Sequence, residues 1–423
     1  MIKLIQNGWA HFKNMPLQTR YIWLFCAILL GGMFFTFLLG GYHLLKADMY
    51  YPYVTFLYDP KYIHLDFWEL HTNLAQNGLL VYQGEGSNYP PLIFLLLYPL
   101  SFLPYKVALS IFSGLFILSI WYIIYHLLPP IKHKWLATTI SVLACFPVLY
   151  VLNRANIEIL LFLIMATFLI SYQKKHFYKA AFWLAIAINI KIYPAVFLLL
   201  FISDKRFKAG LTVLAFTTVL FFTGFYTTGG NWSQFLYGFE KFSTLHQFTT
   251  AGLQFSNSLF NLIRFPVFFL LNLPSQVDWM PFTLFSKEVA PYYFGVIVVL
   301  CSILFYRLCK GNMLFWQKVF VLALMQTTFP FVSYNYTLIL LLLPLCFFFQ
   351  NPIEGKKGLN ITVLTALAFI PMPIVLFCFK SLLYGDLVIN IGSLLRPLVL
   401  LCLLVTLVMP NPQLKLPVTL KKW

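Results

Sequence analysis

Long apolar runs alternate along the whole chain with short polar stretches that carry lysine and arginine. Runs of roughly 20 such residues suffice for a helix to cross a hydrocarbon core about 30 Å thick. The pattern predicts helices near 21–45, 107–128, 135–152, 156–173, 177–190, 192–203, 209–228, 290–308, 314–332, 336–349, 360–380 and 388–409. Several fall short of a full span. Two further apolar stretches do not fit as spans. Pro91–Leu103 is short and is carried or flanked by Pro90, Pro91, Pro99 and Pro104, and Ser258–Leu273 is interrupted by Arg264 and Pro266. Both read as partial or interfacial segments. The first run is too long for a signal-peptide core and lacks a small-residue cleavage site after it, which predicts an uncleaved first helix.

Composition points the same way. The chain is 61% hydrophobic and 10% charged, and carries 46 Phe and 25 Tyr. A soluble fold of this length leaves too much surface wet to hide that much apolar area. The fold class expected is an all-α polytopic integral membrane protein of about twelve spans. The seven cysteines sit in or at the ends of apolar runs, without metal-ligand spacing. They read as small hydrophobes, not as a disulfide framework or a zinc site. The net charge of +17 does not point to nucleic acid, because the basic residues are spread over short loops.

Those loops set an orientation. With both ends placed in the cytoplasm, most of the 29 lysines and arginines fall on that side, as the positive-inside rule requires. Of the 12 acids, Asp204 and Glu354 alone join them there. The expected location is therefore the plasma (inner) membrane, multi-pass, with N- and C-termini cytoplasmic. The expected organisation is a single transmembrane domain over 1–423, with a large extracytoplasmic loop at 46–106 and a second loop with its partial helix at 229–289.

The unusual polar segments then collect on the far side: loop 46–106 with Asp66 and "NYPPL", "NRAN" (153–156), "NIKIYP" (189–194), "QFSNS" (254–258) and "SYNY" (333–336). Ionisable groups at a membrane edge are candidates for function. "IHLDFWELHTNLAQNGLLVY" has apolar residues at near-helical spacing and reads as a short amphipathic helix on the membrane surface. Asp66 either belongs to its polar face or serves as a general base facing a semi-apolar cavity. Lys191 either snorkels at a helix end or offers a cation to a lipid phosphate, with the chain broken at Pro194. Arg154 and Glu158 stand four apart and are expected to pair. Asn156 either caps the next helix or bonds a sugar. Arg264, in an apolar partial segment, is a second phosphate-clamp candidate. Tyr89-Pro90-Pro91 is a turn that steers the loop back to the membrane. His64 and His71 flank Asp66 without a strong metal spacing, so no metal is assigned. No nucleotide-binding loop is present, so an activated donor on the far side has to be lipid-borne.

These residues resemble glycosyltransferase family 87, the polyprenol-phosphate-mannose-dependent mannosyltransferases of the GT-C fold. The pieces that carry the likeness are "LDFWELHTNLAQNGLLVYQGEGSNYPPLIFLLLYPLSFLP" (65–104), "NRANIEILLFLIMATFLI", "LAIAINIKIYPAVFLLLFISDKRF", "QFSNSLFNLIR" and "FVSYNYTLILLLLPL", in that order. The resemblance implies a GT-C-like bundle whose first loop bears short interfacial helices. It implies transfer of a hexose, mannose in the family, from a polyprenyl-phosphate-linked donor to a glycolipid or glycan acceptor. Asp66 would be the catalytic base in an inverting reaction without metal or cofactor. Lys191, Arg264, Arg154, Asn156, Tyr89, Asn257, Tyr334 and Tyr336 would bind substrate and phosphate. The partners implied are donor, acceptor and lipid bilayer, with no nucleic acid. Tyr334, Asn335 and Tyr336 stand where the family often has histidine. The alternatives are a transporter or flippase, disfavoured by the scarcity of mid-helix charges and the lack of an inverted repeat, and a polymerase or ligase of lipid-linked glycans, disfavoured by outer loops poor in base.

Overall fold

The computed structural model describes residues 12–45, 65–83, 87, 89–242, 253, 256–271, 279–311, 313–352, 360, 363, 378–380, 388–390 and 392–409. Side chains are described for most of these. The chain forms helices α1 (Leu17–Leu45), α2 (Leu65–Asn77), α3 (Leu92–Ser101), α4 (Tyr105–Leu127), α5 (Lys134–Leu143), α6 (Phe146–Arg154), α7 (Glu158–Gln173) and α8 (Phe177–Ile190). They are followed by α9 (Leu198–Ser203), α10 (Phe207–Thr227), α11 (Trp232–Phe242), α12 (Asn261–Leu271), α13 (Trp279–Lys310), α14 (Phe315–Thr328), α15 (Leu342–Gln350) and α16 (Gly392–Val408). A pair of three-residue strands, Cys378–Lys380 and Val388–Asn390, runs antiparallel. The protein is an all-helical polytopic membrane protein apart from that pair.

Helix α7 lies at the centre. It is apolar all round and buries Ile159, Leu161, Phe162, Met165, Phe168 and Leu169, as expected of a helix surrounded by others. Helix α8 packs on it through Ala180, Ala181, Leu184, Ala185 and Ala187, small residues that let helix backbones approach in a membrane. Helix α14 is buried from Val319 to Met325. At the periphery, α4 buries Phe112, Phe116, Ile120 and Ile124 at every fourth position and exposes Ile111, Leu115, Leu118 and Tyr122. A largely apolar exposed face of this kind belongs against lipid.

The span count differs from the twelve-helix reading of the pattern. Among the described residues, four helices are long and apolar enough to cross a membrane: Leu17–Phe34, Tyr105–Leu127, Phe207–Thr227 and Phe282–Lys310. The run expected as one helix at 135–152 is α5 and α6, bent by 54°. The runs at 192–203 and 336–349 each open as a 3-10 turn, Tyr193–Phe197 and Asn335–Leu341, before a short α-helix. Pro194 fits the first turn of a new helix but not the interior of an old one, so α8 stops at Ile190. Much of the run at 360–380, and all of 46–64, lies outside the described residues. The run expected at 388–409 starts as a strand and becomes helical at Gly392. The two partial segments are α3 and α12, close to their expected bounds. The second loop at 229–289 contains α11, α12 and the start of α13.

Candidate functional site

Helix α2 is the amphipathic segment read from the sequence. Phe67, Leu70, His71 and Leu74 form its buried face, and Gly78, at a φ of +57°, ends it as a left-handed residue after a helix does. His71 Nε2 bonds the Leu103 carbonyl at 3.1 Å, tying α2 to the end of α3. Asp66 sits in the first turn of α2, where the helix dipole favours an anion.

Its carboxylate does not face solvent. Arg154 Nη2 donates to Asp66 Oδ1 at 2.7 Å, and Asn156 Nδ2 donates to Oδ2 at 2.6 Å. The side chains of Arg154 and Asp66 are 22% and 12% exposed. The turn that presents these donors depends on Ala155, which adopts a left-handed φ of 45°. It closes α6 with bonds from Ala155 N to Leu152 O and from Asn156 N to Val151 O. Asn156 Oδ1 then accepts from Glu158 N at 2.9 Å and opens α7. Asn156 therefore caps a helix with one end of its amide and holds the carboxylate with the other.

The expected pairing of Arg154 with Glu158 is corrected here. The i, i+4 relation needs a continuous helix, and Ala155 breaks it. Arg154 pairs with Asp66, and Glu158 pairs with Lys191 at 2.7 Å between Oε1 and Nζ. Lys191 is thus no isolated snorkelling cation. It is the extended residue that ends α8, and its ammonium also lies over the rings of Tyr336 (4.8 Å), Tyr89 (5.9 Å) and Tyr193 (6.0 Å). The Tyr193 hydroxyl donates to the same Glu158 oxygen.

Lys191, Glu158, Tyr89, Tyr193, Tyr334 and Tyr336 all line one cavity of about 520 Å³, a volume within the usual small-molecule range of roughly 300–1,000 Å³. Another wall is Phe221, Phe222, Phe235, Phe239 and Phe242 from α10 and α11. Asp66, Arg154 and Asn156 are not among the lining residues. Desolvation, and then the charges of Asp66, Glu69 and Glu158, push the Tyr89 phenol well above its ordinary value. Tyr89 therefore stands close to both carboxylate centres. Glu69 is also raised, by desolvation first and by the Asp66 charge second.

The remaining expected residues gather nearby. Asn257 N and Nδ2 both donate to the Ser333 carbonyl, at 2.6 and 3.2 Å. Ser256 bridges Tyr334, and Ser256 Oγ accepts from Ser333 N at 2.8 Å. The "SNS" and "SYNY" segments are thereby laced together beside the cavity. Arg264 is set apart. Its guanidinium bonds Asn261 Oδ1 at 2.7 Å and lies 4.7 Å from the Phe260 ring centre, fully buried and outside the cavity lining. Sequence reasoning missed Glu158 as a buried partner of Lys191, and missed Asn189, Thr217 and Gln326 on the cavity wall. The signal available was polar residues inside apolar runs.

The observations define a multi-helix membrane protein in which a clamped carboxylate neighbours an aromatic cavity with a lysine on its wall. Residues 88–285, just under half of the chain, match the model of Glycosyltransferase family 87, a match that indicates a glycosyltransferase. The matched stretch includes Tyr89, Arg154, Asn156, Lys191 and Arg264 but neither Asp66 nor Tyr334 and Tyr336. No curated protein and no solved structure matches the chain.

Proposed function

We propose that this glycosyltransferase moves a hexose, mannose by family likeness, from a polyprenyl-phosphate sugar to a hydroxyl of a glycolipid or glycan. Asp66 is the general base. It takes the proton of the acceptor hydroxyl as that oxygen bonds to the anomeric carbon. The bond from the anomeric carbon to the phosphate oxygen breaks, with inversion, and polyprenyl phosphate departs as the anion. The carrying observation is that Asn156 bonds both the Asp66 carboxylate and the Glu158 backbone amide, while the Glu158 carboxylate bonds Lys191.

The chemistry of each part fits its role. An ionised carboxylate has about four lone-pair sites, and Arg154 and Asn156 occupy two, so Asp66 can still accept a proton. An ammonium has three donors, and the Glu158 bond uses one, so Lys191 can still hold a phosphate oxygen. The phenylalanine wall suits an isoprenoid chain. The reaction is assigned to the extracytoplasmic face of the plasma membrane, because the basic loops gather on the opposite side.

The test is sugar transfer in membranes holding equal amounts of wild type or Asp66→Asn, supplied with labelled polyprenyl-phosphate mannose or glucose. Wild type should move label into lipid or glycan. Asp66→Asn should fold and lose about 10²–10⁴-fold in rate. Transfer by Asp66→Asn at the wild-type rate would remove Asp66 from the chemistry.

A further inference from the structure

Three side chains on the cavity wall carry polar atoms with no partner among the described residues: Glu158 Oε2, Gln326 Oε1 and Nε2, and Thr217 Oγ1. They come from three helices, α7, α14 and α10, and line the same cavity. Glu158 is 0% and Gln326 3% exposed. Burying polar atoms unbonded costs stability, and such groups mark ligand sites when they converge on a cavity. Asn189, on the same wall, shows the contrast. Its Nδ2 is already spent on the carbonyls of Ala185 and Thr217 and works as a brace.

We infer that Glu158, Gln326 and Thr217 form a subsite that reads the hydroxyls of the donor hexose. This rests on the glycosyltransferase reading above. The set offers two acceptor oxygens, an amide donor and a hydroxyl that can do either, which suits neighbouring hydroxyls on a sugar ring. It does not suit the other parts of the donor. The free carboxylate oxygen repels a phosphate, and an isoprenoid chain leaves all four atoms unbonded. Glu158 is shared between this set and Lys191, so a hexose bound here has its phosphate within reach of the ammonium.

The test uses Gln326→Met and Thr217→Val, which keep shape and remove hydrogen bonding, in purified protein in lipid nanodiscs. The probes are polyprenyl phosphate bearing mannose, glucose or galactose, and bare polyprenyl phosphate. A site built to bond a hydroxyl discriminates strongly. Each variant should lose about tenfold or more of the kcat/KM ratio between the preferred hexose and the next. Affinity for bare polyprenyl phosphate should hold. The thermal midpoint of the unliganded variants should stay level or rise, since an unsatisfied group is removed. An unchanged hexose ratio in both variants overturns the subsite. So does a parallel loss of affinity for the bare lipid, a fall in midpoint, or a change confined to the KM of the acceptor. If wild type transfers none of the sugars, the proposed function fails and the subsite with it. Transfer with unaltered ratios removes the subsite alone.

Discussion

Lys191→Met probes the buried ion pair directly. The Glu158 side chain has no exposure, and Lys191 has 15%. Removing the ammonium leaves a buried carboxylate with the Tyr193 hydroxyl as its remaining bond on Oε1 and nothing on Oε2 among the described residues. Breaking a buried pair from one side costs about 3–5 kcal/mol, because the surviving charge keeps its desolvation penalty. The reverse change, Glu158→Gln, leaves the cation over three tyrosine rings and costs less, about 1.5–3 kcal/mol for a hydrogen bond to a charged group. The double variant Lys191→Met/Glu158→Gln leaves no charge at this buried pair and should recover most of the loss. The coupling should sit near or above the top of the usual range of about 0.5–3 kcal/mol for contacting residues. Denaturant unfolding in detergent micelles measures all four proteins, and sugar transfer is assayed alongside. The double variant should regain stability but not transfer, because the cation for the departing phosphate is gone. A Lys191→Met protein as stable as wild type, or a coupling below about 0.5 kcal/mol, would refute the reasoning.

Two other changes test how the site is held. Asn156→Ala removes the cap on α7 and a donor to Asp66; it should cost about 0.5–2 kcal/mol and slow transfer, both read on the purified protein, whereas full activity would show that Asp66 needs no fixing from that side. At Gly238→Ala the new Cβ would lie 2.3 Å from the Ser87 carbonyl oxygen, so α11 must shift from the loop that leads to Tyr89. Overpacking of this kind costs about 1–3 kcal/mol, and the KM for the lipid donor should rise. Gly224→Ala, with its nearest atom at 3.1 Å, should be milder; equal effects would show that the close approach at Gly238 has no special weight.

The sequence makes some of this legible for physical reasons. Helix α2 is visible because its apolar residues recur at helical spacing above an interface, and α3 and α12 because prolines and an arginine mark them as incomplete. The reading of loop charges puts "NRAN", "NIKIYP", "SNS" and "SYNY" on one side, and the packed helices bring these segments together. What the sequence hides is who bonds whom. Arg154 stands four residues from Glu158 yet pairs with Asp66, 88 positions away, because a non-glycine residue takes a left-handed conformation between them. Nothing in "RANIE" announces that turn. Gln326 is equally quiet: one amide in "VLALMQTTFP" shows no direction until helices α7, α10 and α14 are packed. The number of full spans is blurred for a related reason, since a 3-10 turn and a helix share the same apolar run.

The distribution of polar groups along α7 explains why the site stands where it does. In the proposed reaction, the Asp66 carboxylate and the Lys191 cation must hold their separation to a fraction of an ångström, roughly 0.5 Å for a productive arrangement. Loops do not supply that rigidity, and Asp66 comes from a surface helix while Lys191 comes from a chain break. Both are referred to one rigid element. Asp66 is bound by Asn156, whose other end bonds the amide of Glu158, and Glu158 binds Lys191. The first turn of one largely buried helix thus sets both distances at once. The same first turn bears Glu158 Oε2, without a bond among the described residues. A hexose that bonds this oxygen would therefore be aligned against the base and the cation by the element that already positions both.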